Sequence, residues 1–488
     1  MARSIRIRHL WLFDFAADFL AVVSAYYTTY LLRCHSEWGQ RFFAWVNQTL
    51  GIRDTGEIGE SLERFYATSA LRIIVLLTLT LCLFYALRDL YSGSRFITRR
   101  PLLWDIVVAN VWALALFFAY FYLRRNIYHP RSFFATLIVL NILYCRMFRA
   151  LKVHALQFLR KRYGIDRHPT VLMGRTPEGR LIARLIEENH PHGIEIKAQV
   201  ESDAENFERT LEAVRAAVRA QDADMIICAD KDLAVANIMR LLEVADELDV
   251  SVKVLSNRLG VVVDRAKIPA DWIRGAPLIH FERPSSSARY AVLRKVVSML
   301  LAWFLLVMAL PLMLVIALLI RLTSRGPVFF VQERIGVNRQ PFRIFKFRTM
   351  YDRAEELQAE IEEINESAEG LFKIRNDPRV TPVGRLLRRF SLDELPQLIN
   401  VIRGEMTLVG PRPLPRRDFE NYYEDWHYSR HAGLPGLTCL WQVSGRSDID
   451  FHNMCILDVF YLKNQSWLLD LKIILRTVWV VVFGWGAY

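Results

Sequence analysis

Residues 391–397 read SLDELPQ, with two adjacent carboxylates, Asp393 and Glu394, just ahead of a proline. The string has two readings. As S-x-x-E it is a capping box, with Ser391 capping a helix and Glu394 reaching back. As an acidic pair near cations it is an active-site candidate. With Ser391 as cap, Pro396 falls at the fifth helical position and deletes an early backbone bond. With Asp393 as cap, Pro396 falls at the third position, which tolerates it. Either register sets both acids at a helix start, where free N–H groups and the dipole favour anions and phosphate. Upstream, FRIFKFRTM (342–350) reads as a strand. Its alternation turns Lys346 and Arg348 to one face and Phe345 and Phe347 to the other. A surface strand carries such cations idly, but two aimed alike are also what a diphosphate needs. The acidic stretch over 353–368 reads as a solvated helix face.

The elements that must position these residues follow from bulk composition. At 488 residues the chain is long enough for several domains. Hydrophobic residues make up 53% of it and mean hydropathy is +0.16, values that point to a membrane. The net charge of +12 calls for anionic partners such as lipid headgroups or phosphorylated substrates. No zinc-finger spacing, RNP aromatic motif or basic tail marks a nucleic-acid module. The six cysteines are scattered without a C-x-x-C pair, which argues against a disulfide framework or zinc site and fits a mostly cytoplasmic-facing protein.

Four apolar stretches, near 10–32, 68–88, 103–123 and 132–151, fill the first 150 residues. Each is about 20 residues, enough to cross ~30 Å of hydrocarbon. Asp14 and Asp18 interrupt the first, which with the spans that follow favours an uncleaved span over a signal peptide. Intramembrane carboxylates are functional candidates by default, but bundle contacts or snorkelling explain this pair equally well. Arg3, Arg6 and Arg8, then Arg95, Arg99 and Arg100, then Lys152, Arg160, Lys161 and Arg162 place the N-terminus and everything after 152 in the cytoplasm.

From His168 short apolar runs alternate with amphipathic stretches: VLMG (171–174), IEIKAQV (194–200), ADMIICA (223–229) and VSVKVLS (250–256), with helical patterns between them. This is the signature of a parallel sheet with crossover helices, a Rossmann-like domain. Its first turn, Gly174 to Gly179, has Thr176 where G-x-G-x-x-G needs the glycine that admits a pyrophosphate, so a regulatory or structural module is favoured over cofactor binding. A fifth apolar run spans 296–320. It is basic on both flanks and carries Pro311 mid-segment, where the missing N–H kinks a helix. From the residues alone a kinked span and a re-entrant hairpin stand equally open.

The order KFRTM (346–350), SLDELPQLINVIRGEM (391–406), TLVGPRP (407–413), LWQVSGRSD (440–448) and the terminal GAY resembles the bacterial polyprenyl-phosphate sugar-1-phosphate transferases, the monotopic phosphoglycosyl transferases. The likeness covers roughly 285–488; the four spans and α/β insert resemble the family's large members. The implied fold is membrane α with α/β: a four-helix transmembrane domain (1–152), a Rossmann-like cytoplasmic domain (153–282) and a mostly α catalytic domain (283–488). The last carries a re-entrant helix about 290–321, broken at Pro311, although Leu310 stands where several relatives have Ser. The resemblance further implies a UDP-hexose donor, undecaprenyl phosphate as acceptor, Mg²⁺, and Asp393 as a nucleophile that takes a phosphosugar and expels UMP. A carboxylate is a known covalent phosphoryl acceptor, and such transfers run on positioning and charge neutralisation. Glu394 is then the metal-side acid, and Lys346, Arg348, Arg388 and Arg412 are candidates for phosphate or nucleotide. Arg446 and Asp458 are carried over from SGR and the ILDVFY stretch. The amphipathic C-terminal helix, with its tryptophans, reads as membrane-surface packing.

The expected setting is the bacterial inner membrane, with the bilayer as partner, galactose favoured over glucose, and oligomeric state, homodimer included, left open. Two rivals are a nucleotide-sugar oxidoreductase or dehydratase built on the α/β insert, and an inactive membrane scaffold. The middle-glycine substitution opposes the first, and retention of Asp393, Glu394 and the basic set opposes the second.

Overall fold

A computed structural model describes residues 10–49, 60–88, 90–91, 102–123, 131–188, 193–203, 206–266, 268, 270–282, 288–351, 378–445 and 449–483. The acidic stretch over 353–368 and Arg446 lie outside the described residues. The chain forms two compact units, one of Met1–Pro169 with Ile182–Glu195 and one of Thr170–Leu181 with Ile196–Tyr488.

In the first unit, helices α1 (Leu10–Cys34), α3 (Glu60–Leu87), α4 (Leu102–Leu123) and α5 (Arg131–Tyr163) coincide with the four apolar stretches, and each is long and apolar enough to cross a membrane. Helix α5 continues past its apolar part and ends in Arg160, Lys161 and Arg162, cations that suit a helix C-terminus. Between α1 and α3 lies α2 (Glu37–Thr49), a short amphipathic helix whose charged and polar residues hid it from a search for apolar runs. It exposes Trp38 and Trp45, and Trp38 stacks on Phe42.

The two acids of α1 are bundle contacts. Asp18 is buried and receives Nε and Nη2 of Arg149 at 2.9 and 2.6 Å, and the Tyr91 hydroxyl at 2.8 Å. Asp14 pairs with Lys152. Asn110 and Asn141 continue the polar seam across α4 and α5, with the Asn141 amide donating to Asn110 Oδ1 at 2.8 Å.

A six-stranded sheet follows in the order β2-β1-β3-β4-β6-β5. The strands are β1 (His168–Met173), β2 (Ile194–Val200), β3 (Met225–Cys228), β4 (Ser251–Leu255), β5 (Asp271–Ile273) and β6 (Ala276–Phe281), with crossover helices α6 (Pro177–Glu188), α7 (Phe207–Gln221) and α8 (Val235–Glu247). Strands β1, β3 and β4 pair in parallel as expected, but β6 runs antiparallel to both β4 and β5. The sheet is therefore mixed rather than purely parallel. The cause is local: Arg274 and Gly275, at φ 48° and 83°, make a two-residue turn of the kind that closes a hairpin.

At the first turn, Thr176 donates its hydroxyl to the Ala229 carbonyl at 2.9 Å and accepts the Gly179 N–H at 3.0 Å. Glu178, held below the usual carboxylate range by its own backbone N–H and by Lys231 at 3.1 Å, occupies the start of α6. A carboxylate of the chain stands where a pyrophosphate would need free donors, which counts further against a dinucleotide-dependent activity.

This sheet and the segment after residue 288 do not form separate cores. Val171, Ile226 and Val254 belong to one apolar cluster with Leu408, Trp441 and Phe460. Phe281 meets Phe460 edge-on at 5.8 Å, Asp246 pairs with Lys463, and Arg476 Nη1 donates to the Ala266 carbonyl at 3.0 Å.

Helices α9 (Gly260–Ala266) and α10 (Ala288–Thr323) follow, and α10 contains Pro311. At 36 residues α10 is about 54 Å long. Both of its ends are tied to the same unit. Near the start, Arg294 donates to Asp470 Oδ2 at 2.7 Å and to the Val409 carbonyl at 2.6 Å, and Ser298 meets Thr407 at 3.1 Å. Near the end, Met313, Ile316 and Ile320 pack with Phe347 and Leu387. Its other faces leave Trp303, Met308, Leu314 and Leu322 more than 60% exposed, an apolar surface that needs a nonaqueous environment.

Candidate active site

The hairpin β7 (Phe329–Ile335) and β8 (Pro341–Phe347), helix α11 (Pro382–Arg389), the 3₁₀ segment Leu392–Gln397, helix α12 (Leu398–Ile402) and the turn after β9 (Thr407–Val409) supply the site. Asn400, fully buried, fixes strand to helix: its amide donates to the Arg343 carbonyl at 2.7 Å and its Oδ1 accepts the Phe345 N–H at 3.1 Å. Thr381 caps α11 through the Gly384 N–H at 2.9 Å. Gly384 itself lies so close to the Thr349 carbonyl that a Cβ would stand 2.0 Å from that oxygen.

SLDELPQ does not start a regular helix. Ser391 sits at φ 54° with no side-chain cap bond, residues 392–397 form the 3₁₀ segment around Pro396, and α12 begins only at Leu398. Neither expected cap forms, because Pro396 lacks the N–H an α-turn would use and the tighter turn accommodates it. The tight turn sets the two acids differently. Glu394 Oε1 receives Lys346 Nζ at 3.1 Å and Arg412 Nη2 at 2.6 Å, while Arg412 Nη1 stands 3.5 Å from Oε2. Asp393 is half-buried, and among the described residues no group hydrogen-bonds its carboxylate.

Electrostatics separate the pair further. Burial alone raises the Glu394 carboxyl, but Arg412 and Lys346 override it and hold it well below the ordinary range. Burial, and then the Glu394 charge beside it, push Asp393 up, against Lys346, Arg388 and Arg412. Burial pushes the Lys346 ammonium down, and Glu394 opposes this. One acid is thus a fixed anion clamped by cations, and the other a more basic carboxylate with free lone pairs.

Lys346, Arg388 and Arg412 therefore surround Asp393 and Glu394 as the sequence suggested; Arg388 Nε also donates to Thr349 Oγ1 at 3.0 Å. Arg348 is not brought to the pair. Its guanidinium donates to the carbonyls of Arg325 and Ser324 at 2.7 and 3.0 Å, tying β8 to the end of α10. Asp458 is 1% exposed in an ion pair with Arg430. The break expected at Pro311 does not appear, since α10 runs as one helix from Ala288 to Thr323 with Pro311 inside it, and Arg446 lies outside the described residues.

Three contributors escaped the sequence reading: Asn400, Arg430 and Arg334. Burial and the neighbouring Arg412 push Arg334 down to about 10, and its Nη1 donates to the Pro413 carbonyl at 3.3 Å. The alternation that singled out Lys346 on one strand was available for Gln332 and Arg334 on the other.

A second cluster, Glu424, His427 and His452, has ligand atoms within 4.8 Å of one another. His427 Nδ1 accepts the Glu424 N–H at 2.8 Å, so its proton sits on Nε2 and is donated to His452 Nδ1 at 3.0 Å. That chain consumes the lone pairs a metal would need from His427, and the cluster reads as structural.

Residues 289–484 match the family described as "Bacterial sugar transferase", and 86–255 match "CoA-binding domain". Among curated relatives, "Undecaprenyl-phosphate galactose phosphotransferase" of Salmonella typhimurium is 31% identical over 353 residues, covering 70% of this chain and 73% of that protein. The chain belongs to the bacterial sugar transferase family. "Exopolysaccharide production protein ExoY" of Rhizobium meliloti is 43% identical over 182 residues, 36% of this chain and 80% of the relative. "Undecaprenyl-phosphate glucose phosphotransferase" of Komagataeibacter xylinus is 42% identical over 200 residues, 39% of this chain and 36% of that protein. These matches bear out the resemblance to polyprenyl-phosphate sugar-1-phosphate transferases read from the motifs, and the family match from 289 to 484 spans the whole charged site.

Proposed function

We propose that this bacterial sugar transferase moves hexose-1-phosphate from a UDP-hexose to undecaprenyl phosphate, with galactose the favoured hexose and glucose the alternative. The observation that carries the reading is the division of labour between Asp393 and Glu394. Asp393 Oδ attacks the β-phosphorus, the bond from that phosphorus to the bridging oxygen breaks, and UMP leaves with both electrons. An oxygen of the lipid phosphate then attacks the same phosphorus, the aspartyl–phosphorus bond breaks, and the carboxylate is restored as undecaprenyl-diphosphate-hexose departs.

Lys346, Arg388 and Arg412 neutralise the diphosphate, so the charge that builds on the departing UMP meets cations already in place. The donor set also fits Mg²⁺, which favours one or two carboxylates together with substrate phosphates. Glu394 Oε2, whose contact with Arg412 is only 3.5 Å, is the oxygen that would hold it. When bound, the ion supplies charge neutralisation across the diphosphate.

The tethering of both ends of α10 to one unit supports a re-entrant helix that enters and leaves the bilayer on one side. The basic residues at the end of α5 support a cytoplasmic site, where nucleotide sugars are available.

Measuring UMP release with UDP-galactose, UDP-glucose and their N-acetylated counterparts, in membranes carrying undecaprenyl phosphate, tests the function. Release with none of the four overturns it. The pH profile offers a separate check. Asp393 must be ionised to attack, so kcat/KM falls as pH drops through its raised pKa, and Arg388 is one of the charges holding that pKa down. Arg388→Gln therefore shifts the acid limb to higher pH; a limb that stays put or moves lower contradicts the arrangement.

A further inference from the structure

The turn Gly410–Pro413 carries Arg412, the residue that clamps Glu394, and three consecutive carbonyls of it are gripped. The Pro411 carbonyl accepts the Gly436 N–H at 2.9 Å, the Arg412 carbonyl accepts Arg430 Nη2 at 2.8 Å, and the Pro413 carbonyl accepts Arg334 Nη1 at 3.3 Å. Arg412 is flanked by two prolines, which restrict its backbone and donate no N–H of their own. Fixing these carbonyls therefore fixes the direction in which the Arg412 side chain leaves the turn.

Arg430 makes the central grip and is itself immobilised. Its Nε and Nη2 reach Asp458 Oδ2 at 3.0 and 2.5 Å, and Nη1 donates to the Tyr423 hydroxyl at 2.9 Å. Tyr423 in turn donates to His431 Nε2 at 3.0 Å, and His431 Nδ1–H donates to the Gly336 carbonyl at 3.0 Å, so the chain ends on the β7–β8 hairpin. Both partners of the Arg430–Asp458 pair are 1% exposed. Among the described residues Asp458 Oδ1 has no hydrogen-bond partner, and burial has pushed the carboxyl up to about 6. A buried ion pair with an unsatisfied oxygen is a poor stabilising device by itself. Its geometry suits another purpose.

We propose that Arg430 and Asp458 are positioning residues for the transfer reaction: they touch no substrate, and they aim Arg412 at Glu394 by holding the Arg412 carbonyl. Helix α13 (Phe451–Lys463), which carries Asp458, thereby sets the geometry of an acid it does not contact. This role presupposes the transfer chemistry proposed above, which wild-type UMP release tests separately.

Two variants test it, each made in the wild type and in an Arg412→Lys background, with kcat and KM for the nucleotide sugar measured in all. Asp458→Asn keeps the shape and removes the counter-charge. Arg430→Lys keeps the charge beside Asp458 but loses the fork that spans from Asp458 to the Arg412 carbonyl. Because small misplacements at such sites cost up to about 100-fold, each lowers kcat about 10- to 100-fold with KM changed by less than about threefold. In the Arg412→Lys background, where the aimed fork is already lost, the same changes cost no more than about threefold.

A rise in KM of about tenfold at unchanged kcat assigns Asp458 to substrate contact and overturns the proposal. So does full additivity with Arg412→Lys, or wild-type kcat in Arg430→Lys. Should Asp458→Asn fail to fold, Arg430→Lys decides alone.

Discussion

Asp393→Asn abolishes transfer, lowering kcat by roughly 10⁴-fold or more, the scale of losing a group that enters the covalent chemistry. The substitution is nearly isosteric, and it also removes a carboxyl that burial and Glu394 already strain toward its neutral form. The folded protein therefore loses nothing in stability, and its thermal midpoint stays level or rises. This combination separates a nucleophile from a structural carboxylate, whose loss would cost activity and stability together. The intermediate gives a second readout. Wild-type protein mixed with a UDP-hexose labelled in the sugar, with the lipid acceptor left out, retains label on the chain, and Asp393→Asn retains none. An unlabelled wild type under single turnover, with UMP still released once lipid is added, supports direct attack by the lipid phosphate instead.

How far the sequence carried depended on how local each feature was. The four apolar helices and the first four strands of the α/β insert were legible because periodicity and length act along the chain, whereas β5 and β6 were not read. Lys346, Arg388, Arg412 and the acid pair were legible because contiguous motifs carry them, and the family match spans all of them. Arg348 was read by strand alternation as a phosphate ligand, yet it lies one residue past β8, and the carbonyls of Ser324 and Arg325, just beyond α10, capture it. Asp458 was carried over as a substrate contact, but it lies in a pair with Arg430, 28 residues earlier in the chain, a partnership only tertiary packing creates. The apolar cluster that the α/β insert shares with the segment after 288 was hidden for the same reason. Linkers are visible in composition, whereas a shared core such as that joining Phe281 to Phe460 is not.

Asp18→Leu is the second large effect, and it concerns folding rather than catalysis. It leaves the Arg149 guanidinium, 6% exposed, without the carboxylate that accepts two of its N–H groups. Breaking one partner of a buried pair costs about 3–5 kcal/mol, because the remaining charge keeps its desolvation penalty without its compensation. An ordinary hydrogen bond between membrane helices contributes only about 0.6 kcal/mol, so the magnitude itself identifies which kind of contact this is. The partial compensation from the Leu90 carbonyl, 3.3 Å from Arg149 Nη1, and from the rings of Tyr85 and Tyr91 is too small to close that gap. In Asp18→Leu/Arg149→Leu both charges are gone and most of the stability returns, since paired burial is at best weakly favourable over apolar packing. Unfolding in mixed micelles checks the series: the single variant loses far more than the double. UMP release per folded molecule stays at the wild-type level throughout, because Asp393, Glu394 and their cations belong to the other unit. Equal losses in the single and double variants would mean that Asp18 and Arg149 are held for something other than each other's charge, and would return Asp18 to the list of functional groups.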